Sequence, residues 1–280
     1  MKLTSGEWQP QEKTIELIGQ VKQILDSYSM ALTIRQLYYQ LVAKQIILNN
    51  LKSYKNLDAM LSKARKNNYL DFNAFTDRIR RPIKDGSWLN LNDFISAVKR
   101  SYSKDKWDNQ ENYVEVWLEK DALAGIFEPI TQKYDVNLLV GRGYQSLSSL
   151  NDAVRRFPDK DIYILYFGDF DPTGLDIPRS AEENLVECFG ISPTFERISL
   201  TKEDIDEHKL PPAPAKTTDS RTYAFIKEHG NISVELDALP PDVLEEKIRE
   251  NIKKYLDLEQ FLKDLKVEER EISKLAKLKF

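Results

Sequence analysis

A single cysteine, Cys188, stands in 280 residues, so the chain has no internal disulfide, as expected in a reducing compartment. Only two histidines accompany it, which leaves little nitrogen or sulfur for a zinc site. No run approaches eighteen apolar residues, which argues against a membrane-spanning helix. The opening Met1-Lys2-Leu3-Thr4-Ser5-Gly6-Glu7 lacks the apolar core of a signal peptide, so a cytoplasmic location with no membrane partner is expected. Internal repeats, low-complexity tracts and a Gly-rich P-loop are also missing.

Charge is present but unevenly placed. Residues 1–110 carry 18 Lys and Arg against 11 Asp and Glu, or +7, so the net −4 leaves −11 on the remainder. A basic part beside an acidic one fits a protein that grips a polyanion with one region and works on it with the other; an ordinary solvated surface gives the same totals. Ile15, Leu17, Ile18, Val21, Ile24 and Leu25 recur at helical spacing over 12–29. Thr33 is the predicted N-cap of a second helix through Ala43, and a third spans about 54–67 with Leu57, Met60 and Leu61 inward. Between Arg35 and Lys84 there are 11 basic and 3 acidic residues. Three helices and then a basic segment predict a helix-turn-helix-like, winged DNA-binding domain. Its predicted phosphate contacts are Lys55, Lys63, Arg65, Lys66, Arg78, Arg80 and Arg81. A three-helix protein-binding module gives a similar pattern. Residues 85–112, with a helix over Asp93–Lys106, read as the connection between this domain and a second one.

Three apolar runs then stop at small or acidic residues. Val114-Glu115-Val116-Trp117-Leu118 precedes Glu119, Val136–Val140 precedes Gly141-Arg142-Gly143, and Asp159–Phe167 precedes Gly168-Asp169-Phe170-Asp171-Pro172-Thr173-Gly174. Such runs, separated by helical segments at Asp121–Tyr134 and Tyr144–Phe157, predict buried parallel strands. A helix from Gly174 to Phe189, a fourth strand over Pro193–Leu200 and two amphipathic helices over Asp242–Lys279 complete the pattern. In an open α/β sheet the strand ends share one edge, so Glu119, Asp169 and Asp171 are expected to converge. Close carboxylates repel unless a cation lies between them, and an oxygen-only set suits Mg²⁺ or Mn²⁺. Capping of helices and turns is the other use of such acids.

The Glu119 to Asp171 layout, the Gly-x-Gly turn and the run Asp169-Phe170-Asp171-Pro172-Thr173-Gly174 resemble the Toprim domain. Within it they most resemble the A subunit of type IIB topoisomerases (topoisomerase VI) and its meiotic double-strand-break relatives. Thr33-Ile34-Arg35-Gln36-Leu37-Tyr38-Tyr39 resembles the Arg-x-x-Tyr/Phe-Tyr run of that family's winged helix, and Val234–Leu239 its Glu-x-x-Ala-Leu segment. The resemblance implies a winged-helix domain with linker over 1–110, and a Toprim metal-binding domain over 111–240 with a mainly parallel sheet flanked by helices. C-terminal helices over 241–280 complete it.

It further implies a homodimer on double-stranded DNA, with Glu119, Asp169 and Asp171 as ligands of Mg²⁺ or Mn²⁺ and Tyr39 as the attacking residue. A phenol with pKa near ~10 needs a base, a metal or a cation to attack, and Arg35, one helical turn earlier, is placed to supply positive charge. The implied activity is metal-dependent DNA strand breakage, as an endonuclease or topoisomerase-like enzyme, by tyrosine transesterification or by hydrolysis. In a prokaryotic cell such a protein is expected at the nucleoid. ATP-driven strand passage would fall to a separate ATPase or other partner subunit. The alternative is a non-catalytic DNA-binding or assembly protein of the same architecture.

Overall fold

The computed structural model describes residues 8–28, 31–75, 87–141, 143–215 and 221–277. In chain order its elements are α1 Glu12–Asp26, α2 Ile34–Ala43, α3 Leu51–Lys66, α4 Leu91–Ser101, β1 Asn112–Leu118, α5 Ala124–Lys133, β2 Asn137–Val140, α6 Leu147–Val154, β3 Asp161–Phe167, α7 Pro172–Phe189, β4 Thr194–Ser199, α8 Lys202–Glu207, α9 Thr222–His229, α10 Pro241–Lys253 and α11 Leu258–Lys277. They make two units, one of Met1–Ile79, Gly168–Leu175 and Ser199–Pro241, the other of Arg80–Phe167, Asp176–Ile198 and Asp242–Phe280. Both alternate along the chain, so neither is one stretch of sequence. No helix among the described residues is long and apolar enough to cross a membrane.

The sheet lies in the second unit. It is a four-stranded α/β sheet in the order β2-β1-β3-β4, with β1 parallel to both neighbours. β1 is buried from its second residue onward, as expected of a central parallel strand covered on both faces. Trp117, Ile164 and Tyr166 point to one face, where they pack with Leu150 and Ala153 of α6 and Ile177, Ala181 and Leu185 of α7. Phe167 is on the other face, edge-on to Phe127 of α5 at 4.9 Å. Full burial of such side chains stabilises by roughly 1.5–3 kcal/mol each. One charge lies inside this core: the Glu115 side chain is 0% exposed. Its two oxygens accept from Arg156 Nε and Nη2 at 3.0 and 3.1 Å, from Tyr113 Oη at 3.0 Å and from Trp117 Nε1 at 2.9 Å. Burial, and then the Glu115 charge, push the Tyr113 phenol far up.

Several helices differ at their ends from the sequence expectation, and for two of them the local reason is plain. The helix expected over Asp93–Lys106 runs from Leu91 to Ser101 because Asn90 Oδ1 accepts the Asp93 N–H at 3.0 Å. Beyond it, the chain is drawn off by acids of α11: Lys104 Nζ lies 3.2 Å from Asp264 Oδ1, and Lys106 Nζ lies 2.7 Å from Glu268 Oε2. α7 begins at Pro172 rather than Gly174, since proline suits the first helical position and Asp171 caps it: Asp171 Oδ1 accepts the Gly174 N–H at 2.7 Å.

The α11 clamp sets an acid limit. Burial pushes the Asp264 carboxyl up, but hydrogen bonds from Gln260, Asn109 and Lys104 outweigh it and hold it below its ordinary 3.8. Burial likewise opposes ionisation of Glu268, and Lys106 with the Lys104 N–H holds it below 4.5. A carboxyl depressed in the fold contributes stability that is present above its unfolded pKa and lost as pH falls through the folded one. The unfolding midpoint in urea is therefore expected to be flat from pH 7 to 5 and to drop below about pH 4.5, and replacing Asp264 and Glu268 by Asn and Gln flattens that drop.

In the first unit Ile18, Val21 and Ile24 of α1, Leu37 and Leu41 of α2 and Leu57 and Leu61 of α3 form an apolar core. The three helices stand where the periodicity places them. Thr33 closes a capping box with Gln36 at the start of α2. The segment after β3 joins this unit through an antiparallel bridge, with Phe170 N–H donating to Val234 O at 2.8 Å and Val234 N–H to Phe170 O at 3.0 Å.

Candidate functional site

Arg35 and Tyr39 share one face of α2 and line a pocket of about 330 Å³ with Tyr38, Asn49, Asn50 and Tyr54. Glu235, the acid of the Glu-x-x-Ala-Leu segment, is the ion-pair partner of Arg35. Asp237 Oδ2 lies 3.8 Å from Arg35 Nε, and the Asp237 side chain is 0% exposed. Burial penalises the Arg35 charge, yet Glu235 and Asp237 more than offset it and keep the guanidinium protonated far above its ordinary range. The positive charge beside Tyr39 is thus fixed and compensated at once.

Tyr38 Oη lies 3.1 Å from Asn49 Oδ1 and 3.2 Å from Asn50 O, so its hydroxyl donates into the loop before α3. Burial pushes the Tyr38 phenol above its ordinary 10. Tyr39 is 8% exposed, its ring edge-on to Tyr38 at 5.1 Å.

The 3-10 turn Leu236–Ala238 packs against α2 and connects this face to the acidic run. Its first N–H, from Leu236, donates to Asp169 Oδ1 at 2.8 Å. Asp169 is buried and thereby holds the turn from which Glu235 and Asp237 reach Arg35. Asp171, two residues on, is the α7 cap described above, so the capping use of this acid is realised. Arg35, Tyr39, Asp169 and Asp171 therefore belong to one unit.

Glu119 belongs to the other unit, at the carboxyl end of β1. Its N–H donates to Phe167 O at 2.9 Å, and its Oε2 accepts from Tyr166 Oη at 3.3 Å. The Arg197 guanidinium lies 5.6 Å from the centre of the Tyr166 ring. Gly141 closes the same strand end, its N–H donating to Leu118 O at 2.7 Å; a Cβ there would meet Gln145 Nε2 at 2.6 Å. Gly143 has φ +95°, a conformation that favours glycine. Asp121 presents a buried carboxylate oxygen, Oδ2, with no hydrogen-bond partner among the described residues. An orphaned buried oxygen of that kind calls for a water or a cation. Among the described residues, no three His, Cys, Asp or Glu side chains are gathered as a metal cluster.

Of the predicted phosphate contacts, Lys55, Lys63 and Lys66 are exposed on α3. With Lys52, also exposed, they fall within about 80° of helical arc, a single lysine stripe. Arg65 faces elsewhere: its guanidinium lies over the Phe75 ring at 4.9 Å from the centroid. Arg78, Arg80 and Arg81 lie outside the described residues.

Sequence reasoning missed Tyr166, Arg197, Asp121 and Asp237. Asp121, two residues beyond Glu119, had a positional signal; the others are brought in by the sheet and by a turn some 200 residues from Arg35. No family model matches the chain, and no curated protein matches it.

Proposed function

We propose that this protein is a DNA strand-breaking enzyme of the topoisomerase VI A-subunit-like kind, with a winged-helix part and a Toprim part. It acts as a homodimer on double-stranded DNA, and any ATP-driven step is left to a separate partner subunit. The observation that carries the reading is the shared pocket of Arg35 and Tyr39, tied through the Glu235–Asp237 turn to Asp169. Lys55, Lys63 and Lys66 hold the phosphate backbone without reading sequence.

Tyr39 is the attacking residue. Its neighbour Tyr38 donates its hydroxyl to the 49–50 loop. Attack by the Tyr39 oxygen forms a phosphotyrosine bond to the 5′ phosphate and breaks the bond to the 3′ oxygen, which leaves with a proton. Arg35, held charged by Glu235 and Asp237, steadies the charge that develops beside it. Glu119, Asp169 and Asp171 are the proposed ligands of Mg²⁺ or Mn²⁺, an all-oxygen donor set that suits either ion. When bound, the ion neutralises the phosphate and stabilises the leaving oxygen.

Supercoiled plasmid incubated with the protein and Mg²⁺ or Mn²⁺ is expected to give nicked or linear product with protein-linked ends, and none with EDTA. Tyr39→Phe is expected to abolish both product and linkage. Retained cleavage without linkage assigns the attack to water, and no cleavage by the native chain with either metal, alone or with partner proteins, supports a non-catalytic DNA-binding role instead.

A further inference from the structure

We infer that the pocket beside Tyr39 seats a single unpaired nucleobase, so that the strand at the reactive bond is single-stranded or locally opened rather than an intact duplex. The inference rests on the DNA-binding part of the reading above and deepens it. Size, wall chemistry, donor groups and charge all lead there.

The pocket volume, about 330 Å³, is at the small end of small-molecule sites, enough for a base with its sugar and too small for a folded partner. Its walls are aromatic and amide: Tyr38 lies edge-on to both Tyr39 and Tyr54, at 5.1 and 5.2 Å, while Asn49 and Asn50 stand at the rim. Aromatic rings give a base a stacking surface irrespective of sequence. The amide oxygens are already committed, Asn49 Oδ1 to the Tyr38 hydroxyl and Asn50 Oδ1 to the Ser53 N–H at 2.8 Å, which leaves the Nδ2 groups as donors suited to the carbonyl oxygens of a base.

Charge decides against a free phosphate ion as the sole occupant. Among the described residues Arg35 is the only cation lining the pocket, and it is answered by Glu235 and approached by Asp237; that one guanidinium serves the reacting phosphate beside Tyr39, and the remaining lining, which adds no further cation, suits a neutral, planar group. Further positive charge lies on α3, which starts at Leu51 on the pocket wall and carries Lys52, Lys55, Lys63 and Lys66 along one exposed stripe. A lysine track for the backbone beside an aromatic slot for a base is how single strands are held, and a base taken from a duplex must leave its stack to enter such a slot.

The test uses the full chain and fluorescence anisotropy with two labelled probes, an oligothymidylate of about twelve nucleotides and a blunt duplex of equal length. Tyr54→Ala is expected to weaken single-strand binding by about tenfold or more and to leave duplex binding unchanged, with Tyr54→Phe restoring the single-strand affinity. Asn49→Ala, at an exposed position, is expected to show the same selectivity with a smaller loss and guards against a folding defect in the Tyr54 variant. Replacing Lys55, Lys63 and Lys66 by Gln should weaken both probes and flatten the salt dependence. Equal losses on the two probes, or none on either for both pocket variants, overturn the inference while the DNA-binding reading stands. A native chain that binds neither probe overturns both, whereas selective binding without plasmid cleavage sinks only the strand-breaking proposal.

Discussion

Arg156→Ala is expected to lower the unfolding free energy by about 3 kcal/mol, the low end of the roughly 3–5 kcal/mol seen when one partner of a buried ion pair is removed. Glu115 has no exposed side-chain surface, so losing the guanidinium leaves a carboxylate to be hydrated inside the sheet or protonated. The loss stays at the low end because the Tyr113 hydroxyl and Trp117 Nε1 still donate to Glu115, and because the Arg156 side chain is itself 35% exposed. Urea unfolding read by tryptophan fluorescence measures it: the midpoint should fall with little change in slope. Glu115→Gln combined with Arg156→Met should recover much of the difference, since a pair can be replaced together at far smaller cost than broken. A single-variant loss below about 1 kcal/mol would show that Glu115 does not depend on its partner.

Asp171 gives the largest expected functional effect. Both Asp171→Ala and Asp171→Asn are expected to abolish plasmid cleavage, because each removes a proposed metal ligand's charge. They should differ in stability. Asn caps a helix about as well as Asp, whereas Ala forfeits the bond to the Gly174 N–H and costs about 1 kcal/mol. Cleavage lost in both variants with stability lost in only one separates the chemistry from the cap. If Asp171→Asn cleaves at the native rate, the carboxylate serves α7 alone and the metal assignment is wrong. Titration of the native chain and Asp171→Asn with Mn²⁺ adds a readout independent of cleavage, with weaker binding expected in the variant.

The strands were legible because the apolar, β-branched and aromatic runs are bounded by residues that cannot continue them, as at Leu118-Glu119 and Phe167-Gly168. α2 was legible for the same kind of reason, since Thr33 and Gln36 form a cap within four residues. What escaped was set by partners remote in sequence. Arg35 reads as a cation offered to Tyr39, and only the fold brings Glu235 and Asp237 to it. Asp171 reads equally well as ligand and as cap, because proline and glycine after an acid are compatible with both. Arg65 looks like its lysine neighbours until helical phase and the Phe75 ring distinguish it.

The interleaving of the two units bears on how the chain comes to be folded. The first helices leave the ribosome long before the stretch Ser199–Pro241 that completes their unit, and the turn answering Arg35 lies in that late stretch. Until it arrives, the amino-terminal helices lack part of their packing surface and the guanidinium lacks its counter-charges. Maturation of this region is accordingly a late, long-loop event, and a fragment ending near residue 110 contains the tyrosine without the framework that sets it in place.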